Sequence, residues 1–505
     1  MMHLRKTCFY HFCFFLAAAA VTVLLLMFGN YLWHPNYTIV DAAPTEESMR
    51  ADWPLPEILS YQGIPVSADR EQGIIYLSCP AGQGVSFYDA VKDLAAYDER
   101  FTLSFVRDPA MQDIPAAMRS NHPFRLIVSG IADEFAGQFM ECSVIFTSLP
   151  VLQISGTEDF TLSTYALWSP GSSGVAAGAE SGFLQYRARG AHTRSYEKHP
   201  LRLSLCTGEQ KKEHRNLLGL GSDDDWILNS MVMDDLNLRD PFLTELWNQL
   251  ARQTDYNMDG SRGHYVEVVI NDQYRGVYFL QRRVDKKYLQ LNDSTILLKG
   301  RPSWAPDSIP DAYEIVSSPF SEEETYQRLA PHLTPDFHFP AINPQNFMDV
   351  SLLVQFGAAF DNFTFKNMFY LFFEQGTEPQ VLLVPWDMDM SLGIGFTDQF
   401  TLDPEEYCDS LINRKEYDVM KEQYPDLDQQ LARRWFALRK SLYSEQNLKN
   451  TLEQLCTNLY SSGGMIRDNI RNGLLYGERD TPETMWNFIL YRLDFLDEYY
   501  QSFLQ

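Results

Sequence analysis

Four oxygen-bearing side chains punctuate one stretch, Asp361 to Gly393, which reads DNFTFKNMFYLFFEQGTEPQVLLVPWDMDMSLG. Asp361 opens it and Asn367 follows. Met368 to Phe373 is an apolar strand, Glu374 to Gln380 a turn with Gly376 and Pro379 as breakers, and Val381 to Val384 a second apolar strand. That strand runs into Pro385-Trp386-Asp387-Met388-Asp389. A hairpin returns its end to its beginning, so Asp361 and Asn367 should stand beside Asp387 and Asp389. Carboxylates held that close repel unless a cation joins them, and hard oxygen ligands suit Mg²⁺ or Mn²⁺. On these residues alone, a structural divalent-ion site or acids on solvated loops are the alternatives.

Phosphoryl transfer uses such a layout. In protein kinases an Asp positions the attacking hydroxyl, an Asn holds metal, and a later Asp holds the Mg²⁺ that bridges the ATP phosphates. The element that must deliver Asp361 is a buried helix over Asp349 to Phe360, apolar at Val350, Leu353, Val354, Phe356 and Phe360.

The chain has 505 residues and a formal charge of −26, with a pI of about 4.7. This makes nucleic acid an unsuitable partner. Arg5 and Lys6 precede an uncharged apolar run from Cys8 to Trp33. As a helix that run is roughly 39 Å long, enough to span a bilayer. The expectation is a signal anchor over 1–34, with the C-terminal part extracytoplasmic and a cleaved signal peptide as the alternative. The five cysteines beyond it show no zinc spacing; Cys79 and Cys142 are either one disulfide or free buried thiols.

Residues 35–57 read as a proline- and acid-rich linker. Residues 58–148 read as a small β-rich module with a helix near Tyr88 to Ala96. From 149 the main domain begins with an apolar strand, Leu149 to Ile154. Gly171 to Gly182 reads as a loop. Phe183 to Arg189 and Pro200 to Leu205 form a hairpin joined by Gly190-Ala-His-Thr-Arg-Ser-Tyr-Glu-Lys198. A glycine turn with basic neighbours can cover phosphates, although most such turns are ordinary. Asp223-Asp224-Asp225 reads as a solvated turn. A helix follows over Pro241 to Leu250 with Asp240 as its N-cap. Helices over Leu427 to Leu442, Leu448 to Tyr460 and Pro482 to Leu504 make a C-terminal helical lobe, with Trp486, Phe488, Tyr491, Phe495 and Tyr499 as core aromatics.

Taken in order, Arg189-Gly190-Ala191, Lys198 with Arg202, Leu218-Gly219-Leu220, Asp225-Trp226-Ile227-Leu228-Asn229, Arg275-Gly276-Val277-Tyr278, Asp285-Lys286, Asp361 with Lys366-Asn367, and Pro385-Trp386-Asp387-Met388-Asp389 resemble the CotH kinase family, named after a spore coat protein. The resemblance covers roughly residues 150–500. It implies an α+β, atypical protein-kinase-like two-lobed domain. Such a domain would bind ATP with Mg²⁺ or Mn²⁺ and phosphorylate Ser or Thr of secreted, coat or envelope proteins. By similarity Asp361 would be the catalytic Asp, and Asn367, Asp387 and Asp389 would hold metal. Lys198 would meet the ATP phosphates, and Arg189-Gly190 would lie over the nucleotide. Two departures stand out. Gln281-Arg282-Arg283 occupies the place where the family commonly has an acid, and the turn after Gly190 is Ala-His-Thr. They keep a second expectation open: an inactive pseudokinase acting as an adhesin or coat-assembly protein.

Overall fold

The computed structural model describes residues 36–44, 49–171, 176–301, 306–362, 367–374, 379–394, 414–475 and 477–505. They fall into two compact units. The first runs to residue 77 and takes in 82–117 and 122–146; the second holds 78–81, 118–121 and 147–505.

In the first unit a six-stranded sheet and a three-stranded sheet share the work. The stretch expected to be a linker contributes to the larger sheet. Thr38–Val40 pairs in parallel with Ser104 to Val106, and Met49–Arg50 with Gln138 and Phe139. Tyr37 anchors it, edge-on to Phe87 and Phe105. The prolines therefore punctuate short strands instead of stiffening a spacer. The helix expected to reach Ala96 ends at Val91, and Leu94–Ala96 is a strand against Leu59–Tyr61. Strand pairing there outcompetes helix propensity, as tertiary context commonly does.

The second unit begins with a closed barrel. Its strands are β1 (Val151–Ser155), β2 (Ser163–Pro170), β3 (Ala177–Ala188), β4 (Leu201–Cys206), β5 (Asp225–Asn229), β6 (Gly263–Ile270) and β7 (Gln273–Arg282). The order is β1-β2-β3-β4-β5-β7-β6, and β6 closes on β1 in parallel. Alternation along each strand sends Leu152, Leu184, Leu203, Trp226, Val266 and Leu280 into one buried cluster. Tyr265, Val277 and Phe279, one residue out of phase, join the core of the helical part. The glycine- and alanine-rich stretch expected to be a loop is partly strand: Ala177 to Gly182 pairs with Tyr165 to Pro170. Cross-strand pairing overrides the weak β preference of those small residues.

Beyond the barrel, β8 (Thr295–Gly300), β9 (Tyr313–Ser317), β10 (Met368–Phe373) and β11 (Gln380–Pro385) form a sheet in the order β9-β8-β10-β11. Among the helices are α1 (Arg239–Ala251), α2 (Pro344–Gly357), α3 (Leu427–Leu438), α4 (Glu445–Tyr460), α5 (Gly464–Asn472) and α6 (Pro482–Gln501). From Asn346 to Gly357 every residue of α2 is buried, so it reads as an inner helix. Of the C-terminal aromatics, Phe488 is buried, Trp486, Phe495 and Tyr499 are partly so, and Tyr491 is exposed.

Among the described residues no helix is long and apolar enough to cross a membrane. The expected anchor, Cys8 to Trp33, lies outside them. Cys79 and Cys142 are free buried thiols, not a disulfide.

Candidate functional site

Helix α2 is fixed before it delivers anything. Asn343 caps it, Pro344 opens it, and Asn346 exchanges two hydrogen bonds with the Leu383 backbone of β11, at 3.0 and 2.7 Å. The helix stops at Ala358, in the left-handed conformation at φ 46°. A single tight turn, Phe360–Asn362, then presents Asp361. The turn is tied to the far end of the hairpin: the Phe360 N–H donates to Met390 at 3.1 Å, and the Leu392 N–H donates to Gly357 at 2.7 Å. The Asn362 amide donates to the carbonyls of Asn367 (3.1 Å) and Trp386 (2.9 Å), closing the hairpin mouth.

The hairpin thus brings together what the sequence spaces apart. Asn367 Nδ2 lies 3.4 Å from Asp361 Oδ2 and 3.4 Å from the Asp387 carbonyl. Asp387 adopts φ 59°, a left-handed backbone that Asp tolerates better than most residues and that recurs at functional sites. Asp389 follows in the same loop. Burial first, then the carboxylates of Asp387, Asp240, Asp234 and Asp361, push the Asp389 carboxyl well above its usual range.

Asp240 is the member that the sequence hid. It reads as an N-cap, but the cap is Leu238, and Asp240 sits inside the first turn of α1. Its carboxylate accepts the Met388 N–H at 3.0 Å and the Asn229 amide at 3.1 Å. Burial and Asp387 raise its pKa to about 6. The adjacent Arg239, fully buried, ion-pairs with Asp234 and Asp480 and donates to Ser391 O at 3.0 Å, which holds the loop carrying Asp389. The only sequence hint was a helix starting on adjacent base and acid, Arg239-Asp240.

Two cations approach the acids from opposite elements. Arg189, at the end of β3, stacks over Trp386 at 5.6 Å. Lys299, on β8, is paired in register with Phe369 of the hairpin. Burial lowers the pKa of each, and Asp387 opposes that shift in both. Gly190 holds φ 88°, and a Cβ there would stand 2.6 Å from Thr193 Oγ1.

Lys198 lies elsewhere. Its Nζ is 2.9 Å from the Asp468 carboxylate of α5, both side chains are nearly inaccessible, and it sits 5.5 Å over the Tyr278 ring. Asp468 also accepts from Asn237 (3.1 Å), the Val277 N–H (2.9 Å) and Asn472 (3.0 Å).

The triple Asp is not a solvated turn. Asp223, Asp224 and Asp225 are all buried. Arg282 reaches Asp223 at 2.8 Å, Lys287 reaches Asp223 at 3.0 Å, Arg202 grips Asp225 at 2.9 and 2.7 Å, and Arg283 reaches it at 3.0 Å. The bases at 282–283 are therefore compensated by the acids at 223 and 225. Among the described residues, the group of three metal-capable side chains with ligand atoms within 4.8 Å is His214, Asp223 and Asp224, and Arg282, Lys287 and Lys212 already pair with its acids. The cluster of Asp240, Asp361, Asp387 and Asp389 is looser. Its like-charge congestion at Asp389 is nonetheless what a hard divalent ion relieves, and the oxygen-only donor set fits Mg²⁺ or Mn²⁺.

A barrel followed by a helical part, with acids gathered where a hairpin ends, is a mixed α+β architecture. Residues 186–332 match the model of the family described as CotH kinase protein, so the resemblance read from the motifs is shown over this segment. The match implies a kinase-like function. It spans Arg189, Gly190, Lys198, Asp240 and Lys299; Asp361, Asn367, Asp387 and Asp389 lie beyond its end. No curated protein matches the chain.

Proposed function

We propose that the chain is a membrane-tethered, extracytoplasmic protein kinase that transfers the ATP γ-phosphate to Ser or Thr of secreted, coat or envelope proteins. The observation that carries the reading is Asn367 Nδ2 at 3.4 Å from both Asp361 and the Asp387 carbonyl, at a hairpin mouth lined with acids. The tether rests on the apolar run from Cys8 to Trp33.

In this reading Asp361 accepts or orients the proton of the acceptor hydroxyl. Asn367, Asp387 and Asp389 would hold Mg²⁺ or Mn²⁺, which supplies charge neutralisation for the phosphates. Asp240 fixes the Met388 N–H and hence the loop between the two Asp ligands. Phosphoryl transfer has a loose transition state that rewards positioning, and the buried props of this loop, Asn362, Arg239 and Asp240, provide it.

A second reading, a catalytically inactive CotH-like protein acting as an adhesin or in coat assembly, is favoured by one observation. Lys198 is engaged in a buried ion pair. The full-length protein in detergent, given labelled ATP with Mg²⁺ or Mn²⁺, separates the two readings. Label transfer to itself or to an added Ser- and Thr-containing acceptor protein is expected, with a loss of about 10³-fold in Asp387→Ala at unchanged melting temperature. Equal transfer by Asp387→Ala would refute the site, and absence of transfer in the parent protein would favour the second reading.

A further inference from the structure

We infer that the cleft between α1 and α4 is a binding site for an uncharged polyhydroxylated ligand, a mono- or disaccharide. Ligand binding there is independent of the kinase reading. The cleft lies wholly within the second unit. Its volume is about 520 Å³, inside the range of about 300–1,000 Å³ typical of small-ligand sites. One wall is the face of α1 that carries Thr244, Glu245 and Asn248, continued by Arg252. The other is the face of α4 that carries Thr451, Gln454, Asn458 and Ser461. The start of β6 and Phe279 of β7 make the floor.

The walls are fixed before any ligand arrives. Gln249 ties the two helices: it accepts from the Asn447 amide at 3.0 Å and donates to Thr451 Oγ1 at 3.3 Å. Asn248 accepts the Gly260 N–H at 2.7 Å and donates to Ser261 O at 3.3 Å, and Ser261 Oγ donates to Arg282 O at 2.6 Å. These buried groups are spent on the frame. A Cβ at Gly263 would stand 2.6 Å from Phe279 Cε1, so glycine is what lets that ring lie against the floor.

Charge in the cleft is cancelled. Glu245 and Arg252 pair at 3.2 Å, and Arg262 pairs with Asp259. A charged ligand therefore finds no unmatched partner among them. Tyr265 and Phe279 are at most 8% exposed, which leaves no ring face on which a purine could stack. The groups left for a ligand are planar and polar: the amides of Gln454 and Asn458, the Glu245 carboxylate and the Arg252 fork. Each of these can bond two neighbouring hydroxyls at once, the pattern that a sugar ring presents. Thr244 Oγ1, 3.4 Å from Asp240 Oδ1, is where this cleft meets the acid cluster.

Calorimetry on the full-length protein in a sugar-free detergent tests this, with glucose, N-acetylglucosamine, maltose, glucose 6-phosphate and adenosine as probes. At least one of the three uncharged sugars should bind with a Kd of about 1 mM or tighter. Glu245→Leu and Asn458→Leu should each weaken that binding by about 5- to 10-fold at unchanged melting temperature. Glu245 is 41% exposed on its side chain, so its replacement leaves the fold intact and keeps the test valid should Asn458→Leu unfold the protein. No binding of any of the three sugars, or binding that both folded variants retain in full, would overturn the assignment. Tighter binding of adenosine or of glucose 6-phosphate that these substitutions weaken would overturn it too, by making the occupant a nucleoside or an anion. A protein that binds sugar through Glu245 yet transfers no label keeps the cleft and loses the kinase reading. One that transfers label and binds no sugar loses the cleft alone.

Discussion

Two acidic clusters of the second unit contain the same residue type and have opposite electrostatics. At Asp223–Asp225 the carboxylates are matched by Arg202, Arg282, Arg283 and Lys287 at hydrogen-bonding distance. At Asp240, Asp387 and Asp389 no described Lys or Arg forms an ion pair, although Arg189 and Lys299 stand near. The first cluster is self-sufficient. In the second, burial and mutual repulsion raise Asp240 and Asp389, a congestion that a divalent ion would relieve. The lesson is that acid density does not mark a ligand site; acids whose countercharge the fold withholds do.

The largest effect that would break this comparison is in the matched cluster. Asp223→Asn removes the countercharge of Arg282, which lies against Trp226 and Tyr288 and keeps only its bond to the Leu220 carbonyl, and weakens the hold on Lys287. Removing one partner of a buried pair costs about 3–5 kcal/mol, so urea unfolding of the second unit should shift by that amount. A shift under about 1 kcal/mol would mean that Asp223 is not balancing these cations.

In the unmatched cluster the sign reverses. Asp389→Asn keeps the shape of the side chain and removes a carboxyl whose ionisation burial and the neighbouring acids oppose. Without metal it should stabilise the protein, by an amount on the order of 1 kcal/mol or more, the scale of like-charge repulsion at an effective dielectric near 20. Excess Mg²⁺ should then raise the melting temperature of the parent more than that of the variant, because a ligand stabilises only the state it binds. Destabilisation by Asp389→Asn in metal-free buffer would show that the fold does supply a countercharge to Asp389.

The same contrast explains what could be read from the sequence. The hairpin was legible because both strands are continuous apolar runs bounded by breakers, and their antiparallel register, Tyr370 opposite Leu383, places Asn367 beside Trp386 and Asp387. The helical lobe was legible from spacing. Asp240 and Lys299 were not, because they come from α1 and β8, and only tertiary contact puts them near Asp387. The triple Asp was misread because its partners are 23 to 64 residues away, from Arg202 to Lys287. Lys198 shows the complementary case. Its place in a basic loop suggested an anion, while its actual partner, Asp468, is 270 residues distant. Local pattern locates elements; charge pairing is a property of the closed barrel and the helices set against it.

The smallest effect sharpens the comparison through pH. Burial alone would raise the Asp225 carboxyl, but the hydrogen bonds and charges of Arg202 and Arg283 outweigh it and lower the net value below the usual 3.8. A depressed carboxyl contributes stability that is complete above its unfolded pKa and is lost as pH falls through the folded one. Acidification from about 5 to below 3 should therefore weaken the barrel, and Asp225→Asn should flatten that part of the stability profile. Asp240 is raised to about 6, so its native form binds more protons than the unfolded chain between about 4 and 6. Its contribution falls as pH rises through that window, and Asp240→Asn should remove this second slope while leaving the acid limb intact. If both limbs survived both substitutions, the two clusters would not differ in countercharge as the geometry says they do.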